Sequence, residues 1–306
     1  VVKSTGSWYR VRLDDGTYHQ SRIKGKFRIG GLKSTNPISV GDRVKLSLEG
    51  NDYLINEILQ RKNYIIRKSV NLSKQVHIIA SNIDQAFLIV TLVSPFTSTG
   101  FIDRFLVTAE AYQVPTIIVF NKVDLYDEFD RAYHDEVVKV YSDAGYECVE
   151  VSALNQQNIS LLKERMKDNV TLLSGHSGVG KSTLVNVIDP NLDLLTQQVS
   201  DAHQKGMHTT TFAEMFELDF GGFIIDTPGI KGLGLVEIED SELADYFPEM
   251  LAFKGQCKFH NCKHLNEPKC AVKSALDTGE IHPIRYDSYI SMLEDDGNQY
   301  RESKYH

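Results

Sequence analysis

Residues 175–182, GHSGVGKS, match the pattern G-x-x-x-x-G-K-[ST], which binds nucleoside phosphates in many proteins. They follow the apolar residues TLL and precede KSTLVNVI, so the loop is predicted to join a strand to a helix N-terminus. Backbone N–H groups of such a loop point at the phosphates, while Lys181 neutralises the β and γ oxygens and Ser182 binds Mg²⁺. The predicted nucleotide contacts here are Gly175, Ser177, Gly178, Val179, Gly180, Lys181, Ser182 and Thr183.

A second motif places a carboxylate at the end of a predicted strand. DTPG at 226–229 follows the apolar residues FII, so Asp226 is expected to hold Mg²⁺ directly or through a water molecule. The N–H group of Gly229 is expected to reach the γ-phosphate. DTPG alone is typical of an ordinary turn, but its position downstream of GHSGVGKS favours the nucleotide site.

Between these motifs, KGMHTTT at 205–211 is predicted to close over Mg²⁺ and the γ-phosphate. We favour Thr210 for magnesium, with Thr209 next. Ras-like enzymes orient the attacking water with a Gln after D-x-x-G, but position 230 is Ile, which predicts slow intrinsic hydrolysis. His208 is the nearest candidate for positioning water, and a solvent-facing histidine is an equal alternative. The predicted magnesium ligands are Ser182, Thr210 and Asp226, and the predicted catalytic residues are His208, Lys181 and Thr210.

The sequence NKVD, which ends the predicted strand TIIVF, favours guanine over adenine. The carboxylate of Asp124 can accept hydrogen bonds from the ring N1–H and the exocyclic amine of guanine, two donors that adenine lacks at these positions. Asn121 can brace the loop and meet the purine edge, and the stem of Lys122 can lie over the ring. Ser152 and Ala153, in VSAL after another strand, are expected to supply a backbone N–H to the guanine oxygen.

From about residue 75, strands alternate with helical stretches, which predicts a mostly parallel sheet covered on both faces. Phosphate sites belong at the carboxyl ends of such strands. FAEMFEL and FIIDTPG, separated by DFGG, predict a hairpin. NKVD and VSAL precede the P-loop here, whereas an ordinary GTPase carries them after it. Joining the old termini and cutting the chain after D-x-x-G produces this circularly permuted order.

Residues 1–68 alternate short apolar segments with turns, which predicts an OB-like β-barrel of about five strands. Residues 1–70 hold 14 Lys and Arg against 6 Asp and Glu, although the whole chain has a net charge of −8. RNA binding and a merely solvated basic surface are equally weighted interpretations of this end. The RNA-binding candidates are Trp8, Arg10, Arg12, Arg22, Lys24, Lys26, Arg28 and Lys33.

Three cysteines and one histidine cluster near the C-terminal end, in a spacing suited to a closed, four-coordinate structural zinc site. Zinc without an open coordination position is expected to fold this module rather than catalyse. His260 is a poorer alternative ligand, and Cys148, in a predicted strand, is interpreted as a small buried hydrophobe. The predicted zinc ligands are Cys257, Cys262, His264 and Cys270.

Length and hydropathy bound the architecture. A chain of 306 residues favours two or three domains, and no stretch approaches the ~18 apolar residues of a membrane span. The first residues also lack the apolar run of a signal peptide, so we expect a soluble cytoplasmic protein. We assign residues 1–68 to the OB-like barrel, 75–240 to a central α/β P-loop GTPase domain and 241–306 to a mostly α zinc-binding domain.

These motifs together resemble the RsgA (YjeQ) family of circularly permuted GTPases. NKVD, GHSGVGKS, HTTT, DTPG, the cysteine–histidine spacing, YFPEM and RYDSYISML carry the resemblance, which covers essentially the whole chain. It implies a late assembly or checkpoint factor of the small (30S) ribosomal subunit that binds 16S rRNA, with GTP hydrolysis stimulated by the subunit. His176 and Met207 depart from the family, where Gln and Arg are more usual.

The remaining expectations concern partners and competing functions. We expect a monomer that binds GTP and GDP, with Mg²⁺ and one structural Zn²⁺ and without a membrane partner. A GTP-gated RNA-binding module with negligible turnover is the alternative that Ile230 leaves open. An ATPase or a P-loop kinase is a third hypothesis, and NKVD argues against it.

Overall fold

The computed structural model describes residues 1–24, 37–68, 76–192, 213–226 and 238–294. Within these ranges the strands form one 11-stranded mixed sheet and one two-stranded sheet. No helix in the described ranges combines the length and apolar character that crossing a membrane requires.

The N-terminal strands form one end of the large sheet. Their bounds are β1 Lys3–Ser4, β2 Tyr9–Arg12, β3 Tyr18–Ile23, β4 Val44–Glu49 and β5 Asp52–Ile58. The pairs β1–β2, β2–β3 and β4–β5 are antiparallel, whereas β3 and β5 are parallel. Gly50 and Asn51 connect β4 to β5, as their turn-forming character predicts. Tyr9, Val11 and Ile55 are buried together as the core of this part.

A separate hairpin follows, formed by β6 (Tyr64–Lys68) and β7 (Val76–Ser81) in antiparallel register. It is tied to the N-terminal strands through the buried carboxylate of Asp42, which accepts hydrogen bonds from Ser81 Oγ at 2.6 Å and Arg61 Nε at 2.6 Å. The limits assigned from sequence, 68 and 75, therefore lie at the end of β6 and just before β7.

The middle of the chain is a strand–helix alternation, as expected from the sequence. Its elements are β8 Gln85–Val90, α1 Thr99–Ala111, β9 Thr116–Phe120, α2 Glu128–Asp143, β10 Glu147–Glu150, α3 Ile159–Met166, β11 Val170–Ser174 and α4 Lys181–Ile188. The pairs β8–β9, β9–β10 and β8–β11 are parallel. Apolar clusters cover both faces of this sheet, which explains why β8 and β9 are apolar after their first residues, Gln85 and Thr116.

The predicted hairpin between FAEMFEL and FIIDTPG is confirmed as β12 (Glu214–Glu217) paired antiparallel with β13 (Phe223–Asp226). β13 is parallel to β11, and β12 pairs on its other side with β1 of the N-terminal part. The order across the large sheet is β10, β9, β8, β11, β13, β12, β1, β2, β3, β5, β4. One continuous sheet therefore connects the N-terminal strands to the strands that precede NKVD, VSAL and GHSGVGKS.

The C-terminal part is helical, with α5 Pro248–Leu251, α6 Ala271–Thr278 and α7 Pro283–Leu293. Its apolar cluster includes Val107 of α1, so this part packs on the central domain. The contact also contains a fully buried cation: Arg285 on α7 pairs with Asp103 on α1 at 2.5 Å and with Glu249 on α5 at 2.6 Å.

Candidate nucleotide site and zinc centre

The predicted nucleotide motifs meet at one edge of the sheet. NKVD follows β9, VSAL follows β10, and GHSGVGKS follows β11. The last residues of neighbouring strands are in register, with Phe120 beside Glu150 and Leu173 beside Asp226. Because these strands are parallel, their carboxyl ends share one edge, which is where ligands bind in such sheets.

Two glycines of the P-loop have no substitute. Gly175 has φ 145°, and a Cβ atom there would lie 2.3 Å from the carbonyl oxygen of Ile89 on β8. Gly180 has φ 93°, and its Cβ would lie 2.5 Å from Nδ2 of Asn121. The loop thus follows the neighbouring strand and the NKVD loop more closely than any side chain permits, because separations below about 3 Å are steric clashes.

Lys181 begins α4 and bends its side chain back over the loop. Its Nζ donates hydrogen bonds to the carbonyl oxygens of Gly175 at 2.5 Å and His176 at 2.7 Å. Ser182 and Thr183 follow in the exposed first turn of the helix. The loop therefore brings together an ammonium group and a helix N-terminus, which suit a phosphate, and a hydroxyl oxygen, which suits Mg²⁺.

The amide of Asn121 joins the loops that are predicted to bind the phosphates and the base. Its Nδ2 donates to the carbonyl oxygen of Val179 at 2.8 Å, and its Oδ1 accepts from the N–H group of Ala153 at 3.2 Å. Asn121 is only 1% exposed, so this bridge is shielded from water. The N–H group of Ala153, which we expected to meet the guanine oxygen, points to Asn121 in this structure.

Lys122 adds a second link between the same loops. It adopts the left-handed conformation with φ 63°, and its Nζ donates to the carbonyl oxygens of Ser94 and Gly178, both at 2.7 Å. Its carbon stem therefore runs from the NKVD loop to the P-loop. This course is compatible with the predicted packing of the stem over a purine ring.

Asp124 has an orphaned oxygen that suits guanine. Oδ1 is buried and accepts no hydrogen bond from the described residues. An uncompensated buried carboxylate oxygen is costly, and the N1–H and amine of guanine are donors of the matching kind. Beside it, the hydroxyl oxygen of Ser152 accepts from the N–H group of Asn155 at 3.0 Å and holds the VSAL loop in a turn.

The structure also shows contacts that sequence reasoning missed. The ring of Phe101, on α1, lies 3.6 Å from that of His176 in the P-loop, centroid to centroid. Burial, reinforced by the positive charge of Lys181, lowers the pKa of His176 below its ordinary value. The sequence gives one signal for these contacts: Ser94 and Phe101 follow a predicted strand, near its carboxyl end.

Several predicted residues fall outside the described ranges. The list comprises Lys26, Arg28, Lys33, His208, Thr209, Thr210, Gly229 and Ile230. The backbone of Asp226 ends β13 beside β11, as the pattern FIID predicts.

The four predicted zinc ligands come together. The ligand atoms of Cys257, Cys262, His264 and Cys270 all lie within 4.8 Å of one another. His264 Nδ1 is 3.3 Å from the Sγ atom of Cys270 and 3.7 Å from that of Cys257. Three sulfurs and one imidazole nitrogen at these separations fit a tetrahedral Zn²⁺ site.

The surroundings of this centre favour metal binding. Burial lowers the pKa of His264, opposed by the charge of Glu267, and so favours the neutral ring that can ligate zinc. Backbone N–H groups of Ala271 and Lys273 donate to the sulfurs of Cys257 and Cys270. The alternative ligand, His260, is exposed and is not part of the cluster.

The described RNA-binding candidates differ in how they are engaged. Arg12 donates two hydrogen bonds to Glu217 on β12, at 2.8 and 2.7 Å, and so connects the N-terminal part to the central domain. Arg22 pairs with Asp52, and Lys24 pairs with Glu49. Trp8 and Arg10 are exposed on β2 and the turn before it.

Cys148 lies on β10 and is partly buried. Burial raises the pKa of its thiol to about 11, so the thiol is protonated at neutral pH. The protonated thiol agrees with the interpretation of Cys148 as unreactive, although the residue is only partly buried where a buried one was predicted.

Comparison with known proteins identifies the family that the sequence motifs resemble. Residues 58–236 match the RsgA GTPase family and residues 1–53 match the RsgA N-terminal domain. The chain is 55% identical over 309 residues to the small ribosomal subunit biogenesis GTPase RsgA of Christiangramia forsetii, covering 100% of this chain and 98% of that protein. It is 54% identical over 312 residues to the protein of that name from Flavobacterium psychrophilum, covering 100% and 95%.

Two solved structures share the fold. YjeQ from Thermotoga maritima superposes with a TM-score of 0.80 at 38% identity, covering 96% of this chain and 95% of that one. YloQ, described as a circularly permuted GTPase, has a TM-score of 0.76 at 30% identity, covering 100% and 96%. The multidomain fold and the permuted order predicted from sequence are confirmed. The chain belongs to the RsgA GTPase family and is a hydrolase that acts on GTP with Mg²⁺.

Proposed function

We propose that this chain hydrolyses GTP as a factor in small ribosomal subunit biogenesis, the process for which its relatives are named. We propose further that it binds the 30S subunit through 16S rRNA, acts as a cytoplasmic monomer and hydrolyses GTP faster when bound. The observation that carries the nucleotide part is the amide of Asn121, which holds the P-loop and the base-side loop together.

Three parts of the chain divide this work in our proposal. Residues 1–68 bind RNA, residues 75–240 bind and hydrolyse GTP, and residues 241–306 are folded by zinc. The four-residue cluster around Cys270 supports a structural metal because all of its donors are protein groups and none of the four positions is left for substrate.

Guanine selectivity is assigned to Asp124. Its buried Oδ1 needs a donor, and guanine offers two on the edge that adenine does not match. Lys122, whose Nζ reaches the carbonyl oxygen of Gly178, would place its carbon stem over the purine ring. Ser152 and Ala153 complete the base side, with Ala153 anchored by Asn121.

Hydrolysis requires stabilisation of charge on the phosphates as water attacks the γ-phosphorus and GDP leaves. Lys181 is proposed to bind the β and γ oxygens, close to the loop carbonyls that its ammonium already contacts. Ser182, Thr210 and Asp226 would hold Mg²⁺, which neutralises charge developing on the same oxygens. Gly229 is proposed to donate its N–H group to the γ-phosphate.

Water must be positioned by a group other than residue 230, because an isoleucine side chain has no hydrogen-bonding atom. We propose His208 for this role. Replacing His208 by Ala is expected to reduce subunit-stimulated turnover by about 100-fold or more, in the range of general-base contributions. Unchanged basal and stimulated rates would remove His208 from the mechanism.

Single-turnover hydrolysis of GTP and ATP, with and without purified 30S subunits, tests the proposal. We expect slow cleavage of GTP alone and a steep rise with subunits. Lys181→Ala serves as the inactive variant, and Lys139→Ala, which removes an exposed lysine paired with Asp143 on α2, is the matched control. Tight GTP binding with a rate that subunits do not change would favour the GTP-gated RNA-binding module instead.

A further inference from the structure

A concave site of about 610 Å³ lies on the N-terminal strands, in the row of paired residues that runs from Asp226 on β13 through Glu214 on β12. We call it the barrel recess, and its lining residues are Lys3, Thr5, Trp8, Arg10 and Gln20. Two cations, one aromatic ring, a hydroxyl and an amide face the same space. The recess therefore places an apolar ring, positive charge and hydrogen-bonding groups side by side, which are the groups that bind the base and the phosphate of a nucleotide.

Trp8 is the aromatic surface of the recess. It is 44% exposed, and the guanidinium of Arg22 lies over its ring, 4.9 Å from the centroid. Arg22 is itself held by Asp52. A cation over one face of an indole leaves the opposite face for another planar group, and nucleobases stack on such rings.

The cations of the recess differ in their partners. Arg10 lies over the ring of Tyr18, 4.6 Å from its centroid, and pairs with no carboxylate among the described residues. Gln20 stands opposite Arg10 in the β2–β3 register and adds both a donor and an acceptor. A guanidinium that pairs with no carboxylate in the described ranges, and that lies beside an amide, suits a phosphate and the edge of a base.

Lys3 connects the recess to the GTPase domain. Its Nζ lies 2.7 Å from Glu214 Oε2 on β12, and the two residues are also neighbours in the β1–β12 pairing. The side chains of Lys3 and Glu214 remain 43% and 25% exposed. A phosphate entering the recess would therefore compete with Glu214 for the same ammonium group.

We propose that the barrel recess binds one unstacked nucleotide of single-stranded RNA, with its base on Trp8 and its phosphate on Arg10 and Lys3. This rests on the RNA partner of the proposed function. A duplex fits the recess less well, because the bases of an A-form helix remain stacked and its shallow groove presents sugar hydroxyls rather than base faces.

Trp8 is the only tryptophan of the chain, so its fluorescence reports on the recess directly. The full chain is titrated with a single-stranded hexaribonucleotide and, separately, with a duplex made from the same strand. We expect saturable quenching by the single strand and little by the duplex. Trp8→Ala should weaken single-strand binding, followed by anisotropy of a labelled RNA, at least about fivefold, and Trp8→Phe should retain most of it.

A charge-matched pair of variants tests the role of Lys3. Glu214→Gln frees the ammonium of Lys3 and should tighten single-strand binding about threefold or more, as one additional phosphate contact does. Glu57→Gln is the control, since Glu57 pairs with Lys45 at 2.8 Å on β4 and β5, at the far end of the sheet. Equal tightening by both variants would mean nonspecific attraction and would overturn the assignment of Lys3.

The outcomes separate this inference from the proposed function. Equal quenching by duplex and single strand, or unchanged RNA affinity in Trp8→Ala, overturns the recess as a base site even when 30S subunits stimulate GTP hydrolysis. Failure of the wild-type chain to respond to 30S subunits overturns the proposed function, while the fluorescence titration still decides the recess. Selective quenching together with the loss in Trp8→Ala supports it.

Discussion

The side-chain Nδ2 of Asn121 donates a hydrogen bond to the carbonyl oxygen of Val179 at 2.8 Å, across 58 positions of sequence. The same amide accepts from the N–H group of Ala153, so one buried residue holds together three loops of the predicted nucleotide site, NKVD, VSAL and GHSGVGKS. Gly180 must lack a side chain because Asn121 occupies the space beside it.

Asn121→Ala is therefore expected to lower the affinity for GTP and for GDP to the same extent. Both partners lose a buried hydrogen bond, which costs about 1–3 kcal/mol per unsatisfied group, so affinity should fall by about tenfold or more. Binding of a fluorescent guanine nucleotide measures the effect. Asn56→Ala, which removes an exposed amide on β5, should bind as the wild type does. Wild-type affinity in Asn121→Ala would contradict the bridging role.

Asp124→Asn should change the preferred base from guanine to xanthine. An amide can donate to the C2 oxygen of xanthine, whereas it meets the exocyclic amine of guanine with one of its own donors. Competition between GTP and xanthosine triphosphate measures the change, and we expect the order of affinity to reverse. A variant that binds both less tightly but still prefers GTP would show that Asp124 does not read the base.

Replacing Arg285 should lower the stability of the C-terminal part. Asp103 and Glu249 would remain buried near each other without their cation, and breaking a buried pair in this way costs about 3–5 kcal/mol. The midpoint of thermal unfolding of Arg285→Met should fall by several degrees. Lys254→Ala, which breaks the exposed pair with Asp245, should leave the midpoint nearly unchanged.

Metal analysis should find one Zn²⁺ per chain, removed by Cys262→Ser. Losing one of four ligands abolishes a closed site, and the module around it should lose its fixed structure because metal binding and folding are coupled. Cys148→Ser is the control, since Cys148 lies on β10 outside the cluster. Retention of one firmly held zinc ion by Cys262→Ser would rule out the proposed ligand set.

His176 should make stability depend on pH. Its pKa is lowered by burial, so the unfolded chain binds a proton near pH 6.5 that the folded chain does not. Unfolding is therefore favoured as pH falls through this region, and the contribution of His176 is fully present only above it. Thermal midpoints between pH 5.5 and 7.5 should fall less steeply on acidification in His176→Gln than in the wild type. Parallel curves would exclude this contribution.

Much of the nucleotide site could be predicted from sequence because its groups are local. GHSGVGKS, NKVD and FIID each join an apolar strand to polar residues, so the strand ends and their functional groups are encoded within a few positions. The zinc ligands lie within 14 residues, and their spacing alone limits the donors that can meet.

Long-range pairing could not be read in this way. Arg12 looks like a free cation in sequence, but Glu217 on β12 holds it across 205 positions. The predicted boundary between the first two domains, at residues 68 and 75, likewise separates β6 from β7, although these two strands pair as one hairpin. Which surface cations remain available depends on the partners that the sheet brings beside them.

The sequence by itself determined the chemistry of this protein: a phosphate loop, a guanine-reading loop and a zinc-ligand set, each fixed by covalent spacing. Only the tertiary structure decided that Asn121 closes on Val179 and that Lys3 stands between the barrel recess and Glu214. These contacts depend on parallel strands ending at a common edge and on β1 pairing with β12, arrangements that arise only when distant segments pack.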